Sequence, residues 1–352
     1  MSGLTGSFVI HIGQAKCGST ALQNFLYVNN KSLQRNGYYY PAPIDGSRSH
    51  GVIALWLQDQ WMPLSTGSRF EMYPQFNISP SSDPLFPWGE AHVPGLTAIF
   101  SSEGFFEIDP LFMARYFPSN DTKIIVYFRE QLNFLRSGYA QEVQSRKIYL
   151  PFNEFANLGW RLDYFSEINA WSSVYGKNNI MPRVYERGNL LDADICKDFV
   201  GLLGISDTSD FSFSFTQTNP TIGGSLLKYK LLLNRVSEWD ERTLLFKTFH
   251  ALGDMAIAEE RFRSPLVVPD DLAQAIRGKY KEPNRALFEM FFPDLGGFNI
   301  GRTQADRDDE ALTIKDFEYI NMFFKEYKYK DTRYQNYDVV DAHYKKMKEH
   351  IG

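Results

Sequence analysis

Residues 8–26 read FVIHIGQAKCGSTALQNFL, and no other stretch constrains the fold as tightly. A short apolar, β-branched run suits a buried parallel strand. Two glycines, Gly13 and Gly18, bound a turn, and Leu22, Phe25 and Leu26 then recur at helical spacing, so a helix is expected from about Ser19. A helix that opens out of a glycine-bounded loop presents unpaired N–H groups and the positive end of its dipole, which makes it a seat for an anion. The glycine spacing matches the triphosphate loop G-x-x-x-x-G-K-[ST], but no lysine follows Gly18. The cation is Lys16, inside the loop, and Ser19 and Thr20 add hydroxyl donors at the helix start. That placement suits a ligand needing a cation at a bridging oxygen, with no magnesium between phosphates.

Further strands are expected at 37–41 (GYYYP), 96–103 (LTAIFSSE), 122–130 (TKIIVYFRE) and 178–186 (NNIMPRVYE), alternating with helices over 130–146, 160–175 and around Ile195, Phe199 and Leu203. Strands alternating with helices imply an α/β fold, a parallel-stranded central sheet flanked by helices. After Ser225 the pattern turns helical. The expected division is a main domain over 1–300 and a charged, tyrosine-rich helical extension over 301–352. Residues 58–96 carry six prolines among aromatics and serines and read as a long irregular excursion, a kind of segment that is often functional.

Bulk properties narrow the classes. The chain has 352 residues and a net charge of −5, so no global basic field recruits nucleic acid, and any anion site must be local. Two cysteines, Cys17 and Cys196, cannot build a disulfide framework and fit a reducing compartment. Neither has a Cys or His at ligand spacing, so no metal site is expected. No basic leader precedes a long apolar run, and no window approaches the ~18 apolar residues of a membrane span. A soluble, cytoplasmic protein is expected. Aromatic residues reach 16%, which reads first as core filling.

The stretch HIGQAKCGSTALQNFL resembles the 5′-phosphosulfate loop of sulfotransferases, roughly P-K-x-G-T-T before a helix. Lys16 falls on the family's lysine, and Ser19 and Thr20 on its paired hydroxyl residues; Ala15 replaces the usual proline and Cys17 a usual threonine or small residue. The family holds the 3′-phosphate of its donor with an arginine ending a strand and a serine eight residues on. IIVYFREQLNFLRSGYAQ places Arg129 and Ser137 in that register. A third segment, from Trp171 through Tyr185 and Glu186, resembles carbohydrate-type bacterial sulfotransferases, and the resemblance spans about residues 7–240.

The resemblance implies a P-loop-like sulfotransferase fold and 3′-phosphoadenosine 5′-phosphosulfate as donor co-substrate, bound by Lys16, Cys17, Gly18, Ser19, Thr20, Arg129 and Ser137. Sulfuryl transfer needs a base for the acceptor hydroxyl, a cation at the leaving oxygen and in-line placement. Lys16 meets the second need. Glu103, ending the third strand in FSSEGFF, is the first candidate for the base, and His50 in SRSHGVIAL is its rival. His11 reads as packing or orienting the loop, and His92 lies in the excursion. The acceptor expected is a glycan or glycolipid hydroxyl, with Trp61, Phe70, Tyr73, Phe76, Phe86 and Trp88 as sugar-stacking rings and Arg69, Glu90 and His92 as hydroxyl readers. A small alcohol, phenol or lipid could use the same rings. The alternative outside the family is a divergent P-loop kinase or NTPase, which would need a lysine after Gly18.

Overall fold

The structure is a computed structural model that describes residues 7–64, 68, 93–213, 221–238, 240–300, 312–330 and 338–351. Its first compact unit comprises residues 1–129, 163–216 and 282–299, and its second 130–162, 217–281 and 300–352.

The first unit is built on a five-stranded sheet: β1 (Phe8–His11), β2 (Tyr38–Tyr39), β3 (Thr97–Ser101), β4 (Thr122–Phe128) and β5 (Ile180–Val184), in the spatial order β2-β3-β1-β4-β5. Every pairing is parallel, so the α/β fold with a parallel central sheet is the one the chain adopts. Parallel strands with helices on both faces are buried on both sides, which is why they read as apolar runs and not as alternating patterns. All four residues of β1 are buried. On one face Val9, Ile99 and Ile125 meet Leu22 and Phe25 of α1 (Ser19–Val28) and Phe199 of the helix Ile195–Leu202. On the other, Phe8 packs edge-on to Phe117 with ring centres 5.4 Å apart, and Phe128 stacks on Tyr164 at 4.5 Å. Each such side chain stabilises the fold by roughly 1.5–3 kcal/mol. Much of the aromatic content therefore fills the core.

The register places the functional ends together. His11 lies opposite Ser101 of β3 on one side and Ile125 of β4 on the other. Strand order reverses about β1, and ligands of open α/β sheets bind outside the carboxyl ends of the strands at such a switch point. The segments leaving these ends are the loop 12–18, Ser102–Glu103 and, three residues further along β4, Arg129.

Two elements differ from expectation. The helix expected from 160 begins at Tyr164, because Asp163 caps it through Ser166 N (3.0 Å) while Trp160 Nε1 donates to Phe155 O (2.8 Å) and holds the preceding turn. Residues 51–61, GVIALWLQDQW, form a helix α3 (Gly51–Trp61) that takes over the first residues of the expected excursion; α2 (Asn30–Arg35) precedes it. Residues 65–67 and 69–92 lie outside the described residues, and with them Arg69, Phe70, Tyr73, Phe76, Phe86, Trp88, Glu90 and His92.

The second unit is helical among its described residues. Gln131–Ser145, Gly224–Val236, Glu241–Ala258 and Asp270–Lys279 are joined there by Ile314–Lys330 and Asp338–Lys348. Tyr229 ties the late helices in: Phe317 and Phe324 lie 5.8 and 5.9 Å from its ring, and its hydroxyl donates to Asn321 Oδ1 at 2.9 Å. Among the described residues no helix is long and apolar enough to cross a membrane.

Candidate functional site

The loop after β1 is pinned at both ends. Ile12 N donates to Ile125 O at 3.0 Å, and Leu22 N closes the first turn of α1 on Gly18 O at 3.1 Å. Between them Lys16 and Gly18 have φ of 64° and 77°. The left-handed region costs a residue with a side chain roughly 1–2 kcal/mol, and Lys16 bears that cost at the tip of the loop. Gly18 is required twice over. Besides its φ, a Cβ there would lie 2.9 Å from Tyr185 Oη and 3.0 Å from Ile195 Cδ1. A Cβ on Gly13 would lie 2.9 Å from His11 Cε1 and 3.1 Å from Ser19 Oγ.

These constraints leave a cradle. Gly18 caps α1 with no side-chain hydrogen bond, and no acidic residue occupies the first turn. The N-terminal amides are therefore claimed by no capping side chain, and nothing in that turn repels an anion. Ser19 is buried and donates to Gln14 O at 3.4 Å, whereas Thr20 is exposed at the helix mouth.

Charged groups gather around this cradle. Arg129 Nη1 donates to Lys16 O at 3.4 Å, and Tyr164 Oη holds Arg129 O at 2.8 Å. Glu103 opens a 3-10 turn directly after β3, where Ser102 caps by accepting from Gly104 N (3.1 Å). Gln23, in the second turn of α1, donates to Glu103 Oε2 at 3.4 Å. Cys17 reports the convergence. Burial pushes its thiol up to about 12, and the charges of Arg129, Glu103 and Lys16 all act on it. Lys16 in the loop, Arg129 bonded to that loop and Glu103 held by Gln23 of α1 thus follow the ends of three neighbouring strands. Ser137 is half-buried on the helix Gln131–Ser145 of the second unit.

The histidines are structural in their bonding. His50 is buried; Nδ1 accepts from Ser101 N (3.1 Å) and Nε2 donates to Pro41 O (3.0 Å), a pairing that fixes the tautomer and occupies the basic lone pair. Burial lowers its pKa to about 4. His11 Nδ1 meets Ser101 Oγ at 2.8 Å, its Nε2 is buried without a partner, and burial lowers its pKa to about 3.

Sequence reasoning missed the supports. Gln23 holds Glu103, and Tyr185 closes on Gly18. Helix α3 backs the Glu103 turn: Gln58 Nε2 donates to Gly104 O at 2.9 Å, and a Cβ on Gly104 would lie 2.8 Å from Ala54 Cβ. The position of Gln23 on α1, one turn beyond the loop, was the available signal for its role. Tyr185 stood out only as part of a resemblance, and α3 carried no signal. Among the described residues no cluster of His, Cys, Asp and Glu could hold a metal ion.

No protein-family model matches the chain. An uncharacterized protein of Archaeoglobus fulgidus is 26% identical over 230 residues, which cover 59% of this chain and 57% of that protein. The match thus spans little more than half the length of that relative. A crystal structure described as a sulfotransferase from Alicyclobacillus acidocaldarius is similar over 83% of this chain and 98% of that one, with 14% identity and a TM-score of 0.48. A likeness at that level does not carry an activity from one chain to the other.

Proposed function

We propose that this chain is a sulfotransferase that moves a sulfuryl group from 3′-phosphoadenosine 5′-phosphosulfate to a hydroxyl on a glycan or glycolipid. The observation that carries the reading is the arrangement at α1: an uncapped, acid-free helix start with Lys16, Arg129 and Glu103 gathered around Cys17. The fit to an anionic donor rests on the same cradle, since the close approach of Tyr185 and Ile195 to Gly18 keeps side-chain bulk out of it.

Each residue then has a task. The α1 amides with Ser19 and Thr20 bind the 5′-phosphosulfate end of the donor. Lys16 places its ammonium at the leaving oxygen, where negative charge develops during transfer. Arg129, and by sequence spacing Ser137, serve the 3′-phosphate; a guanidinium is the side chain suited to that group. Glu103 takes the acceptor proton, and Gln23 orients its carboxylate. His50 supports the end of β3 in this reading, because its lone pair is already used. The glycan or glycolipid assignment rests on the carbohydrate-type resemblance around Trp171, Tyr185 and Glu186 and on the aromatic content of 58–96.

The test is transfer of labelled sulfate from the donor to an acceptor array of saccharides, glycolipids, phenols and alcohols, run with and without a magnesium chelator. Label on sugars that survives chelation is expected. Label on phenols alone would remove the glycan assignment and keep the sulfotransferase one, whereas chelator-sensitive phosphate transfer from ATP would favour a kinase. In the same assay Glu103→Gln is expected to abolish most transfer while donor affinity by calorimetry stays within about twofold, since the amide keeps shape but takes no proton. If Glu103→Gln keeps wild-type turnover, the base lies elsewhere.

A further inference from the structure

The helix Gln131–Ser145 opens on a carboxylate that is bonded through both oxygens. Glu130 is buried; its Oε2 accepts from Asn133 N at 2.8 Å, and its Oε1 takes Arg277 Nε at 3.2 Å. Arg277, on the helix Asp270–Lys279 that packs along Gln131–Ser145, also donates through Nη2 to Ile300 O at 3.3 Å. Arg136 follows within the same stretch of Gln131–Ser145. It is half-buried and makes no hydrogen bond or ion pair among the described residues, and its Nε is a buried donor without an acceptor. Its pKa is lowered, first by burial and then by the charge of Arg277, with Glu130 alone opposing.

Glu130 is thus paired with Arg277 and bonded to Asn133 N, it makes no pair with Arg136, and the buried Nε of Arg136 is left without an acceptor. Packing sets the two guanidiniums against their own repulsion, and a partly desolvated excess positive charge is stabilised by an added anion. We propose that Arg136 and Arg277 form an oxyanion site in the second unit, one that takes the phosphate or sulfate group of a ligand. A tetrahedral oxyanion offers an edge to each planar fork. The site shares no residue with the Lys16 loop and does not rest on the function assigned to that loop. Two kinds of molecule carry such a group: a nucleotide with a 3′-phosphate, and a sugar already bearing sulfate or phosphate.

The experiment is calorimetric titration of the full chain at constant ionic strength with inorganic sulfate, in a Lys16→Ala background that weakens the loop's own anion site. Arg136→Gln is expected to weaken sulfate binding about tenfold or more without lowering the melting temperature, because it removes a repelled charge and breaks no bond. Arg136→Lys, which keeps the charge and loses the fork, should recover part of the affinity. Parallel titrations with 3′-phosphoadenosine 5′-phosphate against adenosine 5′-phosphate, and with a sulfated disaccharide against its desulfated form, assign the carrier: the pair whose difference collapses in Arg136→Gln names it. Sulfate affinity within twofold in the Arg136→Gln and parent chains would overturn the site.

Discussion

A lysine held at φ 64° is an expensive choice where glycine would fit without strain, so its side chain must matter more than the backbone it distorts. The contact at Lys16 O shows how the cost is met. Arg129 donates to that carbonyl, which fixes the strained peptide and points the loop. Because a charge at the leaving oxygen acts mainly in the transition state, Lys16→Ala should lower kcat about 10²–10³-fold with a much smaller change in KM for the donor. Steady-state kinetics checks this. A rise in KM at unchanged kcat would make Lys16 a binding residue only. The loop lysine and the flanking hydroxyls were legible because a displaced cation between two glycines is a local pattern. The hydrogen bonds of His50 were not legible, since they depend on Ser101 and Pro41, which meet it only once β3 is in the sheet.

At the scale of elements, strands and the helices after them were readable from apolar runs and periodicity, and their ends fell within a few residues of expectation. Helix α3 was invisible for a physical reason. Val52, Ile53, Ala54, Leu55 and Leu57 are all buried, so no polar face marks a helical period, and His50 precedes it without a capping hydrogen bond. A buried helix and a buried strand look alike in such a run. The helix Ile195–Leu202 is better signposted, with Asp194 accepting from Cys196 N and Lys197 N at 2.7 and 3.0 Å. It also carries Asp198, which joins three elements from a buried position. Asp198 Oδ2 accepts from Tyr127 Oη of β4 (2.9 Å) and Arg183 Nε of β5 (3.0 Å), and Oδ1 accepts from Leu191 N (3.1 Å). That carboxylate, the first-placed charge beside Tyr127 after burial itself, also raises the phenol's pKa. Removing one partner of a buried pair leaves the other unpaired, which typically costs about 3–5 kcal/mol. Asp198→Ala should therefore lower the unfolding free energy by an amount in that range, read as a fall in the urea midpoint at unchanged slope; a loss below about 1 kcal/mol would mean the network relaxes around the gap.

At the scale of the whole molecule, the buried bases set how stability depends on pH. His11 and His50 in the first unit are held near pKa 3 and 4 by burial, below the ordinary 6.5, and Lys230 in the second is held near 7, below its ordinary 10.5. Between the folded and the ordinary value of each group the unfolded chain binds more protons, so stability rises with pH there. The histidine windows run from about 3–4 up to 6.5, and stability is lost as pH falls through them. The lysine window runs from about 7 to 10.5, and the cost of burying its charge is relieved as pH rises through it. The geometry explains why the lysine is tolerated: its Nζ donates to Asn234 Oδ1 and to Arg146 O (3.4 Å), while Asn234 Nδ2 reaches Val143 O, Arg146 O and Ile148 O, so the pair satisfies the carboxyl end of Gln131–Ser145. Each histidine should contribute on the order of 3 kcal/mol to the acid limb. Denaturation from pH 4 to 8.5, below the range where the raised thiols of Cys17 and Cys196 act in the opposite direction, is expected to show two rising stretches separated by a flatter region near neutrality. His50→Gln should flatten the acid stretch alone, and Lys230→Met the alkaline one alone. An alkaline slope that survives Lys230→Met would assign that proton to another group.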